Sequence, residues 1–306
     1  MKKLITLLTV AFFTLVMSTT AWGELVFDEN FDYPAEDNLT DHGWTAHSGG
    51  GTNPITVSSG GLTYSGYPSS GIGNAALLDN TGEDVSRNFP EQSSGAVYAS
   101  FLVNVHAAPF ISSGKVYFFH LGETDMGYYF KARVFVKEEE GTDNIAFGLS
   151  KKSSTADEYT DFVYLKDVTY LIVEKYEFFE GEDDDEVSLF VFESPTLPGS
   201  EPGTPTLGPV TDLYDAANLG TVALRQYDSA QDLLVDGIRI ATTWEDIVVA
   251  SVDDYPSSVA SFSLYQNYPN PFSASTTISF NLATDLHPSS AVAMLRRVDR
   301  LTQIKI

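Results

Sequence analysis

The chain has 306 residues, 42 of them Asp or Glu against 17 Lys and Arg, giving a net charge of −25, and it contains no cysteine. Such a balance argues against nucleic acid and against anionic membrane surfaces as partners, because phosphates need Lys and Arg to neutralise them. The lack of cysteine excludes disulfides, thiolate nucleophiles and Cys-ligated zinc or iron–sulfur centres together.

Residues 1–23 read as a secretory signal peptide. Lys2 and Lys3 form the basic start, residues 4–17 a mostly apolar run, and Ala21-Trp-Gly23 a small-x-small cleavage site. The run has fourteen residues, short of the ~20 that a membrane span requires. The mature chain is therefore expected to start at Glu24, with no transmembrane anchor. Cleavage removes two lysines and no acid, so the net charge becomes −27.

Residues 24–249 carry strand signals and almost no helix. Val97, Ala99, Phe101, Val103 and Val105 share one face of a period-two run, as do Phe130, Ala132, Val134 and Val136, with Lys131, Arg133 and Lys137 facing away. Further strands are predicted over 26–31, 75–79, 116–121, 144–150, 162–165, 170–179, 187–192, 221–225 and 233–240. Strands this numerous, separated by Gly, Ser, Asp and Pro turns, predict an all-β sandwich rather than alternating βα units. Without disulfides the domain must hold itself together by burial, and roughly 225 residues suffice for one core. Residues 48–73, rich in Gly, Ser and Pro, and 194–209, with five prolines, read as loops. Residues 250–260 read as a linker.

The motifs that suggest chemistry are few. Glu182-x-Asp184-x-Glu186 has the spacing that sets alternate carboxylates on one strand face, as retaining glycoside hydrolysis uses them. The residues between are Asp183 and Asp185, and five consecutive acids cannot enter a buried strand without desolvation and repulsion costs. The run is expected instead at the solvated tip of the hairpin joining 170–179 to 187–192. Calcium takes carboxylate oxygens of this kind, but the spaced Asp/Asn/Gly pattern of a dedicated loop is missing. Gly71-Ile-Gly73-Asn-Ala-Ala76 matches a dinucleotide fingerprint without the strand before it or the helix after it. His42 and His47 flank Trp44 and read as loop histidines rather than metal ligands. Trp44, Tyr64 and Tyr67 lie in or beside Gly/Ser-rich connections, where flat rings would stack on a sugar. They are the candidate ligand-binding residues.

Two family resemblances add to this reading. Phe262-Ser-Leu-Tyr-Gln-Asn-Tyr-Pro-Asn-Pro-Phe272, followed by the alternating Thr276-Thr-Ile-Ser-Phe-Asn-Leu282, resembles the start of the C-terminal sorting domain of type IX secretion cargo. The hallmark is the turn of Tyr268, Pro269, Asn270, Pro271 and Phe272. The resemblance implies export through the periplasm to the outer surface or medium, with the type IX secretion machinery as partner. After Leu282 the further strands and glycine–tyrosine pattern of such domains are missing, so 261–306 reads as a truncated or aberrant sorting domain.

The opening Phe27-Asp-Glu-Asn-Phe-Asp-Tyr-Pro34 with Gly43-Trp44, and the ending Leu234-Val-Asp-Gly-Ile-Arg-Ile240 with Thr243-Trp-Glu-Asp-Ile247, resemble concanavalin A-like (LamG-like) jelly-roll domains of exported bacterial proteins. The resemblance implies an antiparallel two-sheet jelly-roll sandwich over 24–249 with a sheet face that carries carbohydrate. It also implies a structural calcium where the first and last strands meet, for which Asp28, Asp32 and Asp236 are the residues. The expected function is a non-catalytic exported module that binds glycan or another extracellular polymer. A glycoside hydrolase or lyase on the same fold and a structural or adhesive surface protein without a small ligand are the alternatives.

Overall fold

The computed structural model describes residues 23–110, 115–124, 126–127 and 130–248, with the backbone of 263–264 and 280–281. The chain divides into two compact units, Met1–Val249 and Ala250–Ile306. The signal segment 1–22, the linker 250–260 and the sorting turn 268–272 lie outside the described residues.

The first unit holds strands β1 (Leu25–Glu29), β2 (Thr45–Ser48), β3 (Thr56–Val57), β4 (Ala76–Leu78), β5 (Asp84–Gln92), β6 (Ala96–Ala107), β7 (Tyr117–Gly122) and β8 (Phe130–Glu138). It continues with β9 (Asn144–Ser150), β10 (Glu158–Tyr159), β11 (Tyr164–Leu165), β12 (Thr169–Glu177), β13 (Glu186–Glu193), β14 (Leu207–Val210), β15 (Leu219–Leu224) and β16 (Asp232–Ala241). A 3₁₀ turn (Leu39–His42) follows β1, and one short helix, α1 (Trp244–Val248), follows β16. The strands make two eight-stranded sheets. Sheet A runs β14-β13-β12-β6-β16-β4-β3, with β1 on the same edge of β16 as β4; sheet B runs β10-β9-β8-β7-β15-β5-β2, with β11 also on β9. Every pairing is antiparallel. The expected all-β sandwich is the observed one.

Alternation explains how the layers meet. On β6, Val97, Ala99, Phe101, Val103 and Val105 enter the main core, and on β8 Ala132, Val134 and Val136 enter it from the opposite sheet. Phe101 stacks on Phe119 of β7 at 4.1 Å between ring centres, so Phe101→Ala would cost about 3–5 kcal/mol. Glu174 of β12 has the same parity as Ile172 and Tyr176, which belong to this core. It is fully buried, and neither carboxylate oxygen has a hydrogen-bond partner.

The outer face of sheet A is covered. Tyr98, Leu102, Leu171, Val173 and Phe190 form a second apolar cluster with Leu62, Tyr64 and Tyr67 from the loop before β4 and with Trp244 and Ile247 of α1. Thr243 caps α1 through its hydroxyl, which accepts from the Asp246 amide at 3.4 Å. The long Gly/Ser-rich connection is thus packed lining rather than an open loop. Part of the proline-rich 194–209 segment joins sheet A as β14, an edge strand, where proline is tolerated.

In the second unit a two-residue ladder pairs Ser263 with Asn281 and Leu264 with Phe280. The second of these strands falls within the alternating run that follows the sorting turn.

Candidate functional site

With sheet A covered, the outer face of sheet B is where polar and aromatic side chains gather. Register builds it in cross-strand rows. One row runs Thr45, Ser86, Ala223, His120, Arg133 and Ser150 across β2, β5, β15, β7, β8 and β9. The row on one side is Asn88, Thr221, Gly122 and Phe130. The row on the other is Tyr117, Phe135, Gly148 and Tyr159. Each row holds one Gly or Ala, which leaves room for the larger side chains beside it. A Cβ on Gly148 would lie 2.6 Å from the Tyr159 ring, and one on Gly122 would lie 2.6 Å from Met126 Cγ.

At the β2–β5 end of this face lies a cleft of about 660 Å³, lined by Gly43, Thr45, His47, Ser86, Arg87, Asn88, Met126, Gly127 and Thr221. The Thr221 hydroxyl lies 3.0 Å from both Asn88 Oδ1 and the Glu123 carbonyl, which orients the Asn88 amide. Arg87 is anchored from below by an ion pair with Glu29 and by a 3.2 Å hydrogen bond to the Tyr33 hydroxyl. Glu29 is itself buried and also accepts from the Phe31 amide, the Tyr33 hydroxyl and the Trp44 indole at 2.8, 2.9 and 3.2 Å. The opening motif therefore converges on Glu29, a residue that sequence reasoning did not single out.

His47 joins the cleft to the middle of the face. Its ring packs edge-on against His120 and Phe130, with centres 6.0 and 5.8 Å away. Burial, and then the nearby Arg225 charge, push the His47 pKa down to about 4. Burial holds His120 well below its usual range as well. Both imidazoles are thus neutral at pH 7. His120 Nδ1 donates to the Leu121 carbonyl at 3.0 Å, leaving Nε2 as a lone-pair acceptor. Beyond it, Arg133 lies over the Tyr117 and Phe130 rings at 4.8 and 5.5 Å, and Arg225 over Tyr117 and Tyr227 at 4.0 and 4.2 Å. Asp84, 3.7 Å from Arg225 Nε, has its pKa raised to about 6, chiefly by burial.

The residues singled out from sequence lie elsewhere. Trp44, Tyr64 and Tyr67 are 3%, 2% and 3% exposed. Trp44 stacks on Phe31, while the Tyr64 hydroxyl donates to the Thr196 carbonyl at 2.5 Å and that of Tyr67 to the Gly237 carbonyl at 2.7 Å. None offers an open ring to a sugar, because the connection that carries the tyrosines is the lid of sheet A. Asp28 pairs with Arg239 at 3.3 Å. Asp236 is fully buried and accepts from the Leu62 and Gly237 amides at 2.7 and 2.6 Å, its pKa raised to about 7, mainly by burial. Asp32 is exposed. These three do not form a coordinating group; among the described residues, the acids that bring three carboxylates within 4.8 Å of one another are Asp184, Asp185 and Asp215.

Asp184 and Asp185 belong to the acidic hairpin between β12 and β13, which is only partly solvated, and Asp215 comes from the connection between β14 and β15. Asp185 turns inward, 2% exposed, and accepts from the Tyr176 hydroxyl at 2.6 Å and the Phe179 amide at 2.8 Å. The amides of Asp184 and Asp185 donate to Asp215, at 3.2 and 3.1 Å. The ammonium of Lys151, which is fully buried, pairs with Asp215 and donates to the Asp212 carbonyl at 2.8 Å. Glu182, Asp184 and Glu186 thus do not project from one strand as a hydrolase triad would require. His42 pairs with Asp37 and stacks on Tyr33, so it does not join His47.

No protein-family model matches the chain, and no curated protein matches it. Among solved structures, the globular domain of T. cruzi calreticulin is similar over 74% of this chain and 91% of its own, at 13% identity and a TM-score of 0.43. A conserved carbohydrate esterase from Shiga toxin-encoding bacteriophage phi24B is similar over 72% and 100%, at 11% identity and 0.41. The lectin UEA-II complexed with galactose is similar over 71% and 99%, at 11% identity and 0.37.

Proposed function

We propose that the first unit is a non-catalytic module that binds glycan in the cleft at the β2–β5 end of the outer face of sheet B. The observation that carries this reading is the wall of the cleft. Thr45, His47, Ser86, Arg87, Asn88 and Thr221 converge on one hollow from neighbouring paired strands. A sugar needs several hydrogen-bonding groups held in fixed positions, and strands hold them more rigidly than loops do. Among the described residues of the cleft wall there is no carboxylate, whereas glycoside hydrolysis uses two. The Glu182, Asp184 and Glu186 version of that chemistry fails on geometry, which favours binding over hydrolysis.

Export completes the proposal. The signal-peptide pattern of 1–23 and the resemblance of 262–282 to type IX sorting segments support delivery to the outer surface or medium. Calcium enters the reading only through Asp184, Asp185 and Asp215, where Lys151 already supplies a positive charge. The test is a glycan array probed with the full mature chain. Retention of a glycan class that is lost in His47→Ala and Asn88→Ala, with folding intact, supports the proposal; a folded chain that retains no glycan overturns it.

A further inference from the structure

The basic residues of this acidic chain are unevenly placed. Lys166, Lys175 and Arg239 each meet a carboxylate, at 3.5, 2.7 and 3.3 Å, and Arg87, Lys151 and Arg225 meet Glu29, Asp215 and Asp84. Four basic residues of β8 and of the turn after β9, Lys131, Arg133, Lys137 and Lys152, are held by other groups instead. Lys131 donates to the carbonyls of Tyr214 and Asp215. Arg133 donates to the Lys152 carbonyl and lies over rings. Lys137 sits 3.8 Å from the Tyr159 ring centre, and Lys152 sits 3.3 Å from that of Tyr214. Carbonyls and rings stabilise a cation without cancelling its charge, so Lys137 and Lys152 keep theirs with no carboxylate in ion-pair contact among the described residues. With 42 acids in the chain, carboxylate partners are plentiful elsewhere.

A second observation points the same way. Buried polar atoms without a partner occur on the outer face of sheet B at both His47 nitrogens, His120 Nε2, Arg133 Nε and the Tyr159 hydroxyl. His120 and Arg133 are themselves 0% and 6% exposed. Buried polar groups are normally satisfied, and a cluster of orphans marks a place where a polar ligand or ordered water completes the bonding. Donors here include the Arg133 Nε–H and the Tyr159 hydroxyl, and the acceptor is His120 Nε2, a set that suits an anion carrying hydroxyl groups.

We propose that the outer face of sheet B recognises an acidic polysaccharide, its carboxylate or sulfate groups meeting Lys137 and Lys152. This rests on the glycan reading above and names the class of glycan. Nucleic acid is the other extended anion, but its charges lie about 1.7 Å apart along the duplex axis and meet a protein of net charge −25. A sugar acid carries its charges farther apart and brings hydroxyls for His47 and Asn88. Outside the patch, salt screens the chain's own negative field within about 8 Å at physiological ionic strength.

The experiment is affinity electrophoresis of the full mature chain against polygalacturonate, dextran sulfate, a panel of neutral glucans and a short single-stranded DNA. The expected result is retardation by polygalacturonate, dextran sulfate or both, weakened by added NaCl. The Lys137→Gln/Lys152→Gln variant, with an unchanged melting curve, should lose about tenfold in affinity. Retardation by polygalacturonate alone assigns a carboxylate, and by dextran sulfate alone a sulfate. Neutral glucans bound as tightly as the acidic polymers would overturn this inference and leave the glycan reading standing. DNA bound as tightly as the best polysaccharide would also overturn it. A folded chain retarded by no polysaccharide would overturn both.

Discussion

The guanidinium of Arg87, in the wall of the cleft, is paired with the carboxylate of Glu29, buried at the end of β1. Strand β1 belongs to sheet A and β5 to sheet B, so this ion pair ties the two layers together beneath the candidate site.

Glu29→Gln should therefore act on both stability and binding. The Phe31 amide, the Trp44 indole and the Tyr33 hydroxyl keep an oxygen at most, while Arg87 loses its counter-charge. A loss of about 2–3 kcal/mol is expected, toward the low end for a buried pair because Arg87 is partly solvated. Urea denaturation measures it, and glycan affinity should fall together with stability.

Glu174 makes stability fall as pH rises. Burial alone holds its pKa well above the usual value, so the folded chain keeps a proton that the unfolded chain releases. By linkage, its contribution is highest below the unfolded carboxylate pKa and is lost as pH climbs toward the folded one. Asp236 and Asp84, raised to about 7 and about 6, act in the same direction. Glu174→Met, which removes two unsatisfied oxygens at similar volume, should stabilise the fold by about 1–3 kcal/mol at pH 7. It should also flatten the pH dependence of the melting temperature.

Tyr67→Phe separates packing from binding. The hydroxyl that it removes bonds to the Gly237 carbonyl and to Ser100, both buried, so a loss of about 1 kcal/mol is expected in thermal melts. Glycan affinity should stay within error, because Tyr67 lies on the covered side of sheet A.

Lys151→Met should destabilise by about 3 kcal/mol, since it strips the counter-charge from Asp215 at the base of the acidic hairpin. In this variant Asp184, Asp185 and Asp215 face one another without an ammonium between them, and added calcium should raise the melting temperature. The parent chain should respond less to the same titration.

Fold and site differed in how far they could be read from sequence. Strands such as β6 and β8 announce themselves because each has a full apolar face. Strand β5 does not, since Val85 and Phe89 are its only buried apolar residues and Pro90 interrupts it. The candidate site is built from single polar residues on β2, β5, β15, β7 and β8, each on the outward side of an alternation. Taken alone, such a residue looks like any solvent-facing one, and only register brings them into rows. The outward Arg133 and Lys137 of β8 were visible in the alternation, but nothing in sequence says that they lack carboxylate partners. A bulge at Ala132 sets Phe130 on the outer face and pairs Lys131 with the core residue Leu121, the reverse of the expected alternation. Tyr64 and Tyr67 misled for the converse reason: composition marks 48–73 as a loop without showing that a sheet lies beneath it.

The most direct test of the account is the affinity of the full mature chain for its best array glycan, measured by calorimetry for the parent and for His47→Ala/Asn88→Ala. A loss of about tenfold or more, equivalent to roughly 1.4 kcal/mol, is expected with the melting temperature held. Unchanged affinity in a folded double variant would contradict it, because the glycan would then be bound somewhere other than the cleft on sheet B.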